Sequence, residues 1–291
     1  MNATNTLVRA TFRGVGQIML QENAFSGVLF LIGISYGSIL MAIGTILAAI
    51  IGTTTAYLLK YSTEEIQKGL YGFSPALVGA AVFLFLKPDF ISWIVLILGS
   101  IGAVLLQHSF ITKKIAAFTF PFVWITWVIL FGINVYVPQL LNTPTPLVVT
   151  PADACFFPFK AFGQIIFQSS YFSGVVFFTG IAINKPIAAV YGFLGALFSS
   201  CIAYYLLGDI ENIENGLLGY NAVLCAIVFT DTSFKNLKWM MISVLIALAV
   251  QLVMMKFNLI VLTFPFVLAA AATLFLKKRY PVWLKQQEKQ G

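Results

Sequence analysis

The chain has 291 residues and a formal net charge of +7, with 60% hydrophobic and only 9% charged residues. A soluble domain carries about 25% charged residues, so the composition excludes one and describes an integral membrane protein. The bases are spread one or two per loop, which speaks against nucleic acid as a partner.

In chain order, the first segment (1–14) is too polar for a cleaved signal peptide. Apolar runs then predict spans at about 24–36, 38–59, 73–86, 90–107 and 117–137, and again at 171–184, 186–207, 219–233, 239–255 and 260–276. Several fall short of the ~20 residues that cross a bilayer upright. Four amphipathic stretches, 12–22, 63–72, 159–169 and 210–219, are expected to enter only partway. Cys155, Cys201 and Cys225 show no paired spacing, so no disulfide framework and no metal site is expected. Cys201 and Cys225 lie in apolar runs and read as packing residues. No cofactor motif is present, and no nucleotide loop or nucleophile–base set supports an enzyme.

The chain repeats itself at an offset of 147. Phe12, Gly16, Gln17, Gln21, Ser26, Gly27 and Gly33 return as Phe159, Gly163, Gln164, Gln168, Ser173, Gly174 and Gly180. Gly69, Leu70, Gly72 and Leu77 return as Gly216, Leu217, Gly219 and Leu224. The expected organisation is a first repeat, 1–147, and a second, 148–291. The fold class is all-α and polytopic, with about five transmembrane helices and re-entrant half-helices per repeat around a central pore. Five spans is an odd number, so the second repeat is expected to run inverted. With the N-terminus in the cytoplasm, fourteen bases fall inside, and only Lys87, Lys160 and Lys256 fall outside. That is a strong positive-inside bias. Both termini are then cytoplasmic, in an inner membrane, and the Pro-rich link 138–159 is external.

Ion-coupled carriers need charged groups within the membrane. Every acidic and basic residue here fits a loop except Glu22 and the Glu64/Glu65 pair. The single histidine, His108, ends a span beside Lys113 and Lys114 and reads as interfacial. What remains polar and duplicated is the glutamine pairs, the serines and one further motif. Thr119-Phe120-Pro121-Phe122-Val123 recurs as Thr263-Phe264-Pro265-Phe266-Val267, at an offset of 144. A threonine hydroxyl bonds without charge, and a proline two residues on frees a backbone carbonyl. The pair reads as neutral oxygens lining a pore, or as two helix kinks with back-bonded threonines.

These residues resemble the urea transporter family, whose signature is Leu-Pro-x-x-Thr-x-Pro-Phe once per half. The Thr-x-Pro-Phe core stands twice here; Ala116 and Ile260 replace the leading proline. The segments 69–79 and 216–226 are also similar to that family. Its Asn-Pro pair is absent, with Asn23-Ala24 and Ser170-Tyr171 in its place. The resemblance implies passive, channel-like permeation of urea through a narrow neutral slot of aromatics and oxygens, in a homotrimer. It further implies that Gln17 and Gln164 serve the outer and inner polar sites. Phe167 would be a slot aromatic with aliphatic Leu20 at its partner position. Phe73 and Tyr220 would form the other slot, narrowed by Leu77 and Leu224, and Thr119 and Thr263 would supply the middle oxygens. Two alternatives stay open: a channel for short amides, ammonia or water, and a proton-coupled carrier using Glu22 or Glu64/Glu65.

Overall fold

The computed structural model describes residues 3–143, 153–232 and 235–287; the middle of the Pro-rich link and Lys289 lie outside them. Among the described residues there are fourteen α-helices and no strand. The first seven are α1 (Ala3–Gln17), α2 (Ala24–Gly37), α3 (Ile39–Leu58), α4 (Thr63–Gln67), α5 (Phe73–Phe85), α6 (Phe90–Thr112) and α7 (Phe120–Tyr136). They are matched by α8 (Asp153–Gln164), α9 (Tyr171–Asn184), α10 (Pro186–Leu207), α11 (Ile210–Glu214), α12 (Tyr220–Val228), α13 (Leu237–Lys256) and α14 (Phe264–Gln287). The duplicated sequence therefore folds into duplicated elements. The chain is an all-α polytopic membrane protein.

Among the described residues four helices, α3, α6, α10 and α13, are long and apolar enough to cross a membrane by length and composition. α5 and α12 reach only 13 and 9 residues, too short to span upright at 1.5 Å per residue. The apolar run 219–233 continues past the end of α12, but the helix stops where Thr230 and Asp231 begin a polar turn. α1 starts well before residue 12, because the polar segment ahead of it is helical as well.

Local signals set the helix starts. The Asn23 side chain accepts from Phe25 N and Ser26 N, and Ser170 Oγ accepts from Phe172 N. The positions that lack the family's Asn-Pro pair are thus N-caps. Asp89 caps α6 through Ile91 N, and Ser38 caps α3 through Met41 N.

The two sets of helices meet along α2 and α9, with reciprocal contacts. Ser26 Oγ donates to Gly180 O at 2.7 Å, and Ser173 Oγ donates to Gly33 O at 2.8 Å. Phe30 and Phe177 cross edge-to-face at 5.4 Å. Each ring lies over the other helix's glycine: a Cβ on Gly33 would stand 2.4 Å from Phe177, and one on Gly180 2.8 Å from Phe30. Small residues let helices approach closely in lipid, where packing and hydrogen bonds drive association.

Candidate functional site

The duplicated threonines meet. Thr119 and Thr263 stand immediately before α7 and α14, and their Oγ1 atoms are 2.7 Å apart in the buried interior. Pro121 and Pro265 occupy the first turns of those helices, where a missing N–H costs nothing. The motif is a helix start, not a mid-helix kink, and it points two hydroxyls at one place.

Strained turns surround this point. α1 ends in a Schellman arrangement: Gln21 N donates to Gly16 O, and Leu20 N donates to Gln17 O. The end of α8 repeats it with Gln168 N, Gly163 O, Phe167 N and Gln164 O. Such a turn needs one left-handed residue, usually glycine. Here Leu20 and Phe167 hold it, each at φ 60°. The residues before the two threonines are left-handed too, Phe118 at φ 47° and Leu262 at φ 45°. Non-glycine residues in this region cost about 1–3 kcal/mol each and concentrate at functional sites.

All four strained residues line cavities. Leu20 and Phe118 border one of about 480 Å³, with Lys185, Ile227 and Thr230 also on its wall. Phe167 and Leu262 border another of about 150 Å³, whose wall includes Gln164, Tyr220, Thr263 and Phe85. The structure thus brings Gln164, Phe167, Tyr220 and Thr263 together. Leu20 sits at the corresponding place in the other half. Phe73, Leu77 and Leu224 are buried in the surrounding core; none of them lines either cavity.

The paired glutamines are anchored alike. Gln17 Nε2 donates to Lys68 O and Gln164 Nε2 to Asn215 O, both at 2.9 Å. A carbonyl only accepts, so the amide nitrogen must face it. Each Oε1 is thereby turned away, and no donor among the described residues meets it. Lys68 and Asn215 are the C-caps of the short helices α4 and α11. Gln21 and Gln168 behave differently. They close their own turns by donating to Met19 O and Ile166 O at 2.7 and 3.0 Å. Their duplication is architectural.

Phe118, Leu262 and Phe85 have no polar signature and went unmarked in the sequence. The clue to the first two is their position directly before the duplicated threonines. Phe167 has rings on two sides, Phe85 and Phe122, each with centroids 6.2 Å away.

Charged groups also differ from expectation. Lys160 and Arg13 lie within α8 and α1 instead of loops. Lys160 is 2% exposed and donates to Asn215 Oδ1 at 3.1 Å. Arg13 Nη1 donates to Gln67 O at 2.9 Å. Glu22 is exposed. Glu64 is exposed and paired with Lys68, which holds its carboxyl below the usual carboxylate range. Glu65 accepts from the Tyr71 hydroxyl, which also lies 2.9 Å from His108 Nδ1, and the His108 ring stacks on Tyr61 at 3.6 Å. Cys201 is exposed instead of packed, while Cys225 is buried.

The chain is a polytopic helical membrane protein with a buried neutral oxygen pair beside two cavities, Thr263 on the wall of one and Phe118, directly before Thr119, on the wall of the other. Residues 8–278 match the urea transporter family, and the chain belongs to that family. It is 26% identical to urea transporter 1 of Ovis aries over 92% of this chain and 77% of that protein. The same figures hold for urea transporter 1 of Capra hircus. Urea transporter 1 of Mus musculus is 25% identical over 78% of this chain and 63% of its own.

Proposed function

We propose that the protein is a passive channel for urea, whose path runs from one cavity to the other between Thr119 and Thr263. The observation that carries this reading is the buried contact of Thr119 with Thr263 beside two cavities, Thr263 on the wall of one and Phe118, directly before Thr119, on the wall of the other, with left-handed Leu20, Phe118, Phe167 and Leu262 on those walls. Urea is small, flat, neutral and strongly hydrated. Moving an amide into an apolar site without partners costs roughly 2–7 kcal/mol. The hydroxyls and the Gln17 and Gln164 oxygens replace water along the route, while apolar walls of Leu20, Phe118 and Phe167 exclude ions. The exposed or paired state of Glu22, Glu64 and Glu65 favours a channel over a proton-coupled carrier, which needs an acid within the membrane.

The two halves run inverted, 1–147 and 148–291, with both termini cytoplasmic and the subunits in trimers as the family resemblance implies. In that orientation Lys185 marks the Leu20 cavity as the inner mouth. On that reading Gln17, whose anchor is at Lys68, belongs to the inner end and Gln164 to the outer end, whereas the family resemblance implies the opposite order.

One experiment tests both path and orientation. In a variant whose three native cysteines are replaced, Phe167→Cys should let an impermeant thiol reagent block urea flux from outside, and Leu20→Cys only from inside. Full flux after complete labelling at both positions contradicts the path, and block from the opposite sides contradicts the orientation.

A further inference from the structure

The two halves differ behind the threonine pair. In the second half the Asn221 carboxamide, 1% exposed, is held three ways. Its Nδ2 donates to Gln251 Oε1 at 3.0 Å and to Leu262 O at 3.4 Å, and its Oδ1 accepts from Phe266 N at 3.2 Å. The Tyr220 hydroxyl donates to the same Leu262 carbonyl at 2.5 Å.

The first half keeps the frame and lacks the filling. Gln107, Phe118 and Phe122 correspond to Gln251, Leu262 and Phe266, but Ser74 replaces Asn221 and Phe73 replaces Tyr220. Ser74 Oγ and Gln107 Oε1 are buried and have no hydrogen-bond partner. Among the described residues, Phe122 N and Phe118 O have none either. Buried polar groups are nearly always bonded, to protein or to ordered water.

We infer that the first half binds one ordered water between Ser74, Gln107, Phe118 and Phe122, in the place of the Asn221 carboxamide. The chemistry matches group by group. Water's two hydrogens serve Gln107 Oε1 and Phe118 O, as the two amide hydrogens serve Gln251 and Leu262. Its lone pairs accept from Phe122 N–H and the Ser74 hydroxyl. Serine has two heavy atoms fewer than asparagine, and a site with two to four polar partners suits a water. The Phe122 N–H is a donor and opposes a cation there. The consequence is a functional asymmetry: the Leu262 carbonyl is fixed by two side chains, whereas the Phe118 carbonyl has an exchangeable partner. The inference stands whatever the permeant is.

The test is a structure at a resolution that shows waters, for the wild type and for Ser74→Asn, with thermal unfolding of both. The expected wild-type result is one water within hydrogen-bond distance of Ser74 Oγ and Gln107 Oε1. In the variant the new carboxamide takes its place, bonded to Gln107 and Phe122 N, and the apparent midpoint rises by about 2–4 °C. Wild-type density that is empty or holds a metal ion between these groups overturns the inference. So does a variant side chain turned away from Gln107 together with a lowered midpoint.

Discussion

Replacing Thr119 and Thr263 together by valine is expected to slow urea flux by roughly 10–100-fold, at about tenfold per 1.4 kcal/mol of added barrier, with the fold intact. The two hydroxyls bond each other at 2.7 Å in the buried interior. A urea molecule passing between them exchanges that bond for bonds to its own groups, and valine keeps the shape while removing both. Stability is protected in the double variant because replacing both partners of a buried hydrogen bond leaves no orphan, whereas losing one leaves the other unsatisfied. Thr119→Val or Thr263→Val alone should therefore slow flux and lower the unfolding midpoint, and the double variant should restore much of the midpoint without restoring flux. Wild-type flux in a well-folded double variant would reduce the motif to a helix start.

Gln164→Leu is expected to cut flux by about tenfold, equivalent to about 1.4 kcal/mol, with a small change in stability. Among the described residues the side chain's one protein bond is to Asn215 O, worth about 1 kcal/mol net, and Gln164 lines the small cavity with Phe167 and Thr263. Gln17→Leu should act in the same direction through the equivalent anchor at Lys68. Gln164→Glu should keep more flux than Gln164→Leu: a carboxylate also accepts, although it cannot donate to Asn215 O, and Lys160, one turn earlier on α8, supplies a nearby cation. A purely architectural glutamine predicts the reverse. Both leucine variants would then unfold at lower temperature, with unchanged flux per folded molecule.

The helical duplication was legible in the sequence because it is written in identical residues at one offset. The serine and glycine pairs Ser26/Ser173 and Gly33/Gly180 turned out to build the seam between the two sets of helices. The threonines were legible as polar and paired, but their mutual contact is a product of where α7 and α14 begin. Duplication alone did not separate function from architecture. Gln17 and Gln21 are both repeated, yet one turns an oxygen free and the other seals a turn. The difference lies in which carbonyl the fold brings within reach. Phe118 and Leu262 were invisible for another reason: an apolar residue in a span reads as filler, and their distinguishing property is a backbone angle. Lys160 lies buried within α8 and not in a loop, because Asn215, fifty-five residues on, solvates its cation, a contact that hydropathy does not anticipate.

Stopped-flow urea flux in proteoliposomes decides whether urea crosses this protein passively. A passive channel gives rapid equilibration of urea at a rate unaffected by an imposed proton or sodium gradient in either direction, with glycerol crossing far more slowly. Urea accumulating against its own gradient when a proton or sodium gradient is applied would make the protein a coupled carrier and rule out the passive channel.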